Sequence, residues 1–144
     1  MDLLKGKRLV KRDGTIVAAE TALKGKKLIC FYMAAHWCPP CRMFTNTLAD
    51  AYVEAKDEAL PIEVIFISSD RTAADMANYM RESHGDWLGL PYGDPLQPVI
   101  KQRYKVSGIP TLIVLKDNGT MLCRNGRPDV QSKGAAAFRD WCRQ

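Results

Sequence analysis

No stretch of this sequence is long enough or apolar enough to cross a membrane, which takes about 20 predominantly apolar residues in a helix. There are no internal repeats and no low-complexity segments, so repeat arrays and disordered linkers are excluded as the main architecture. Met1 to Val10 carries charges but neither an apolar core nor a small-residue cleavage site, and does not read as a signal peptide. That favours a reducing, intracellular setting, with the cytoplasm expected. No clear basic localisation run decides for or against the nucleus, which stays open as a second location. Histidine is scarce: His36 and His84 are the only two, and they do not form a close ligand pair. Basic residues outnumber acidic ones, 21 to 16, yet they scatter, with only pairs such as Lys11-Arg12 and Lys26-Lys27. No basic stripe or base-stacking motif accompanies the net charge of +5, so nucleic acid is not an expected partner.

What is present reads as one globular domain, residues 1–144. The apolar fraction is 47% and the charged fraction 26%, close to the averages for folded soluble domains, and the length suffices to bury a core. Five cysteines, at 30, 38, 41, 123 and 142, are an odd number with only one close pair. In a reducing compartment that usage points to thiol chemistry rather than a disulfide framework.

The chain opens with a hairpin pattern, Arg8-Leu9-Val10 and Thr15-Ile16-Val17 around Asp13-Gly14. A short helix is expected near Glu20 to Leu23. Leu28 to Ala34 is a continuous apolar run, as expected of a strand buried on both faces. Phe44, Leu48, Ala51, Tyr52 and Ala55 then recur at helical spacing until Pro61. Ile62 to Ile67 is a second buried strand, followed by Ser68-Ser69-Asp70, read as a loop of helix-capping residues. Met76, Tyr79 and Met80 mark the next helical face. Asp94-Pro95 predicts a capped helix with Leu96, Val99, Ile100 and Tyr104 on its buried face. Leu112 to Leu115 is a third buried strand, paired through Asp117-Asn118-Gly119 with Thr120 to Cys123. Pro128-Asp129 opens a last helix with Val130, Phe138 and Trp141, across which Gly134 is a weak point. The order predicts an α/β fold: a central mixed sheet with helices on both faces and an N-terminal β-hairpin.

The strongest chemical signal is Cys38-Pro39-Pro40-Cys41, where a buried strand ends and a helix begins. The thiolate is the species that attacks a disulfide, and a helix N-terminus offers amide donors and partial positive charge to a sulfur anion. With Cys38 at the N-cap, its sulfur is expected to accept from the Cys41 amide, since Pro40 has none. Two intervening residues bring Cys41 back beside Cys38 after one turn, so Cys41 can resolve a mixed disulfide formed by Cys38 and is expected to be the more buried. A zinc half-site is the alternative for any such pair, but no second pair of ligands stands at suitable spacing, and no metal is expected. Trp37 is expected as a partly exposed indole beside the sulfur, and His36 as a solvated loop residue. Cys30 and Cys123 read as small core residues. Cys142 reads as peripheral, and is the candidate for a disulfide-linked dimer of an otherwise monomeric chain. Ile109-Pro110-Thr111 is the second informative site: a proline that merely starts a strand, or a cis bond exposing the Ile109 backbone to a substrate peptide.

Trp37-Cys38-Pro39-Pro40-Cys41 with Ile109-Pro110-Thr111 resembles the thioredoxin superfamily. Phe31-Tyr32, Ser68-Ser69-Asp70-Arg71, Trp87 with Leu90-Pro91-Tyr92, Tyr104 with Gly108-Ile109-Pro110, and Gly126-Arg127 are similar to its nucleoredoxin and tryparedoxin branch, over nearly the whole chain. The resemblance implies a thioredoxin fold, disulfide reductase activity through Cys38 and Cys41, Pro110 in cis, and Trp37, Pro39, Pro40 and Ile109 on the substrate-facing surface. It implies no bound cofactor, and an external reductant, either NADPH through a thioredoxin reductase or a small dithiol. The implied partners are disulfide-bearing proteins. One position departs from ordinary thioredoxins: Tyr32 stands where they carry a buried aspartate that assists proton transfer. Another group or water then serves Cys41, with Glu63 a candidate and a solvated strand-edge carboxylate its alternative reading. Pro39 also replaces a glycine. Two other functions stand beside the reductase: a redox-responsive adaptor of signalling or transcription proteins, and a dithiol electron donor to a peroxidase.

Overall fold

A computed structural model describes all 144 residues. Seven strands form one sheet: β1 (Arg8–Lys11), β2 (Ile16–Ala18), β3 (Leu28–Ala34), β4 (Ile62–Ser68), β5 (Leu88–Gly89), β6 (Thr111–Lys116) and β7 (Met121–Cys123). Their spatial order is β2-β1-β5-β4-β3-β6-β7. The central β3 pairs parallel with β4 and antiparallel with β6, so the sheet is mixed as the connections predict. The helices are α1 (Ala19–Ala22), α2 (Pro39–Asp57), α3 (Ala73–Ser83), α4 (Leu96–Arg103), α5 (Arg127–Lys133) and α6 (Ala135–Cys142), with a short 3-10 turn at Asp2–Leu4.

Every residue of β3 and β4 is buried, which explains why they read as unbroken apolar runs rather than alternating ones. Alternate side chains serve two cores. Leu28, Cys30, Tyr32 and Ala34 meet α2, α3, α5 and α6 through Phe44, Leu48, Tyr79, Val130, Phe138 and Trp141. Ile29, Phe31 and Met33 meet the other layer, including Leu9, Ala19, Leu96 and Ile100. Helices therefore cover both faces.

Several local expectations are corrected. The predicted last helix is two: Gly134 sits at φ 58°, ψ −134°, a conformation open to glycine, and turns the chain between α5 and α6. Val99 is 43% exposed, off the buried face of α4 that Leu96 and Ile100 define. That helix begins one residue late, at Leu96, whose amide donates to Asp94 Oδ1 at 2.8 Å. Ser68 belongs to β4, and the residue that caps α3 is Thr72, whose hydroxyl accepts from the Asp75 amide at 3.0 Å. The strand β5 was not legible in the sequence, because its two residues are too few for any periodicity. Cys30 is fully buried, but Cys123 is only half-buried, at the edge strand β7, with its thiol 3.9 Å from Asp129 Oδ2.

Candidate active site

The chain leaves the buried end of β3 at Ala34 and enters α2 at Pro39 with Cys38 as its N-cap, in extended conformation. The two prolines occupy the first helical positions, where an amide donor has no intrahelical partner to lose. Cys41 faces inward and is wholly buried. Cys38 is 6% exposed, and both thiols are free. The expected capping bond from the Cys41 amide to the Cys38 sulfur is absent; the Cys38 backbone closes the turn instead, its carbonyl accepting from the Arg42 amide at 3.1 Å. Burial and then the hydrogen-bonded thiol of Cys38 push the Cys41 thiol up to about 12, while a backbone hydrogen bond from Ala35 and the charge of Arg127 pull the other way.

Arg127 is the first residue of α5, and its Nε is buried without a partner. Nothing in the sequence placed it beside Cys41, since that proximity is made by helix packing across most of the chain.

The Ile109–Pro110 bond is cis. Met33 pairs with Thr111, so continuing that register sets Pro110 level with the end of β3, from which the Cys38 loop departs. Pro110 is buried and Ile109 half-buried, whereas Trp37, Pro39 and Pro40 are exposed.

The loop after β4 holds the Cys38 loop in place. Asp70 is buried, with Oδ1 accepting from the His36 amide at 2.8 Å and Oδ2 from the Ser68 hydroxyl at 2.7 Å. Trp37 Nε1 donates to the Ser69 carbonyl at 3.0 Å, and the Arg71 guanidinium lies 5.4 Å from the centre of the Trp37 ring. Tyr92 donates to the Asp70 carbonyl at 3.0 Å and Gln97 to the Ser68 carbonyl at 2.6 Å. The exposed His36 ring leans on Tyr79, with ring centres 5.2 Å apart. The sequence announced Ser68-Ser69-Asp70 as capping residues and as part of the family resemblance, with no contact to Trp37 foreseen. Their role as the anchor of Trp37 depends on the parallel pairing of β3 with β4, which ends at Ala34 opposite Ser68.

Behind Cys41 stands a chain of hydroxyls. Tyr32 donates to the Cys41 carbonyl at 3.3 Å and lies 2.6 Å from the Thr45 hydroxyl, which lies 2.5 Å from that of Tyr79. Each hydroxyl has one proton, so with Tyr32 committed to the carbonyl, Thr45 must donate to Tyr32 and Tyr79 to Thr45. Burial holds all of this network uncharged, pushing the Tyr32 phenol far above its ordinary value and Tyr79 up to about 12. Thr45 is a residue that sequence reasoning missed; its position on the buried face of α2 was the available signal.

Glu63 is not part of this site. It is 8% exposed and accepts from the Tyr52 hydroxyl at 2.7 Å, the Val64 amide at 3.0 Å and Lys56 at 3.4 Å. Tyr52 lies eleven residues beyond Cys41 on α2, about 16 Å along the axis. Glu63 is thus neither beside Cys41 nor solvated: buried partners satisfy it at the far end of the helix.

A family profile described as thioredoxin-like matches residues 25–121, and the chain belongs to that family. Within it the chain falls in the nucleoredoxin and tryparedoxin-like branch of oxidoreductases. It is 41% identical over 112 residues to probable nucleoredoxin 1 of Arabidopsis thaliana, covering 78% of this chain and 19% of that protein. It superposes on thioredoxin related protein 16 of Carcinoscorpius rotundicauda with a TM-score of 0.85 at 48% identity, over 99% of each chain. Tryparedoxin I of Crithidia fasciculata gives 0.81 at 31% identity, over 93% of this chain and 91% of that one. The chain spans between 19% and 31% of the length of the first curated nucleoredoxins it matches.

Proposed function

We propose that this chain reduces protein disulfides through the Cys38–Cys41 dithiol. The Cys38 thiolate attacks one sulfur of the substrate disulfide, forming a mixed disulfide and releasing one substrate thiol. The Cys41 thiolate then attacks Cys38 Sγ. The Cys38–Cys41 disulfide forms, the second substrate thiol leaves, and two electrons have passed from the dithiol to the substrate. An external dithiol, or NADPH acting through a thioredoxin reductase, returns the electrons. The observation that carries this reading is the pairing at the start of α2: Cys38 at the cap, Cys41 one turn deeper and wholly buried, both thiols free. Burial protects Cys41 from external disulfides while leaving it in reach of Cys38. Trp37, Pro39, Pro40 and Ile109 are the surface on which the substrate rests.

A second reading, a redox-responsive regulator of signalling proteins, is favoured by the Carcinoscorpius protein, described with a role in regulating the activity of the transcription factor NF-kB. The two differ in what the cysteines do. Insulin reduction with dithiothreitol as electron source is expected to be catalysed by the wild type and lost in Cys38→Ser, while Cys41→Ser accumulates mixed disulfides. A folded, reduced wild type that neither reduces insulin nor is trapped as Cys41→Ser would overturn the reductase and leave the regulator.

A further inference from the structure

Several cations stand on or against the Cys38 loop. Arg42 is exposed on the first turn of α2 and donates to the His36 carbonyl at 2.6 Å. Arg71 is exposed and lies over the Trp37 ring. Lys101, from α4, donates to the Ser69 hydroxyl at 3.2 Å, and Ser69 is the residue that holds the Trp37 indole. Arg127, at the start of α5, adds a fourth positive charge, which favours the ionised form of Cys41. None of these four is in an ion pair; the pairs in this structure use Lys7, Lys56, Lys133, Arg139 and Arg143. Three carboxylates of the neighbouring loops make contacts of their own. Both oxygens of buried Asp70 accept hydrogen bonds within the loop. Asp94, on the loop that carries Tyr92, pairs with Lys7 at 2.8 Å. Asp129 lies against Cys123.

We propose that this rim selects disulfides flanked by acidic side chains on an extended protein segment, a specificity that rests on the reductase reading above. The contact surface is divided in two. Trp37, 47% exposed, supplies apolar area beside the sulfur, with Tyr92 (41% exposed) joined to the same loop through Asp70. Arg71 lies over the Trp37 ring and Arg42 is exposed on the same loop, with half-buried Lys101 reaching the loop through Ser69. A glutamate or aspartate near the substrate cystine replaces the counter-ions that these cations lack within the chain. Complementary charge at a rim acts mainly on encounter rate, and it is screened beyond about 8 Å at physiological salt. Bond making and electron transfer are those of the dithiol and are unchanged. Because Arg71 and Lys101 hold their places through Trp37 and Ser69 rather than through acids, neutralising them removes charge without stranding a buried partner.

Two synthetic peptides of one sequence, each closed by an internal disulfide, test this when the residues flanking the cystine are glutamate in one and lysine in the other. Reduction of each by the dithiothreitol-reduced protein is followed by rapid quench at low and high salt. The glutamate peptide is expected to react about 10-fold faster at low ionic strength, the advantage shrinking toward unity near 0.5 M salt. Arg71→Ser combined with Lys101→Gln is expected to lower the glutamate rate and leave the lysine peptide unchanged or faster. Equal rates in the wild type, a preference for lysine, or a preference insensitive to salt and to the double substitution overturns the proposal while leaving the reductase intact. If neither peptide nor insulin is reduced, the reductase reading has failed and this specificity falls with it.

Discussion

Acidification from pH 7.5 to 5.0 should weaken the fold through one side chain, His84. It is 3% exposed, at the end of α3, with Phe66 and Tyr79 ring centres 4.4 and 4.3 Å away and Tyr32 and Trp87 beyond. Its Nδ1 accepts from Trp87 Nε1 at 3.0 Å, so the neutral ring carries its proton on Nε2, which has no partner. Burial, and then the nearby Arg12 charge, lower its pKa from the ordinary 6.5 to about 3. Protonation would also turn Nδ1 into a donor and strand the Trp87 indole. Between pH 6.5 and 3 the unfolded chain therefore binds a proton that the native chain refuses, and stability falls as pH falls; above 6.5 the contribution is constant. From pH 7.5 to 5.0 the loss is about 2 kcal/mol, at RT of about 0.6 kcal/mol. With a urea slope of about 2 kcal/mol/M, the midpoint should drop by about 1 M. Circular dichroism in urea at the two pH values measures it, with His84→Asn as comparison, since asparagine can offer Trp87 an acceptor and does not titrate. The carboxylates that folding holds below their ordinary range, Asp13, Glu20 and Asp94, lose their contributions only at lower pH. A midpoint that falls equally in wild type and variant, or not at all, would refute the assignment of a buried neutral imidazole.

Thr45→Val keeps the shape of α2 but removes the hydroxyl between Tyr32 and Tyr79. The stranded Tyr79 proton should cost about 1–3 kcal/mol in urea unfolding, and Thr45→Ser should restore most of it. Gly126→Ala places a methyl 2.6 Å from the Trp141 ring and 3.1 Å from Val114, an overpacking expected to cost about 1–3 kcal/mol; Gly108→Ala, with nothing within 4 Å, should leave the urea midpoint nearly unchanged.

What the sequence could tell about this molecule followed from how local each cause is. The strands β3 and β4, the helix α2 and the dithiol at its start were legible because runs of apolar residues, a helical repeat and a cysteine pair are written within a few neighbouring residues. The side chains that complete the site were not. Asp70 meets the His36 amide thirty-four residues away in sequence, and Thr45 joins tyrosines of β3 and α3. Both are polar groups whose burial depends on which strands become neighbours. Glu63 was misplaced for the same reason: its strand was read correctly, but the partners that neutralise its cost, Tyr52 and Lys56, face it from the opposite end of α2. Val99 stands at helical spacing and is nonetheless exposed, because the buried face of α4 is set by Leu96 and Ile100 and Val99 lies to one side of it.

The two-residue strand β5 has a consequence for how the molecule opens. The amino-terminal hairpin reaches the rest of the sheet only through Val10 and Lys11, paired with Gly89 and Leu88, and β5 itself joins β4 through the same two residues. The sheet thus has a narrow seam on one side of β4, against a seven-residue ladder on the other. Parting at that seam would uncover Leu4 and Leu9 while β3, β6 and α2, which carry the cysteine pair and the cis proline, stay assembled. An opening at that seam would leave the two sulfurs and the strands that position them in place.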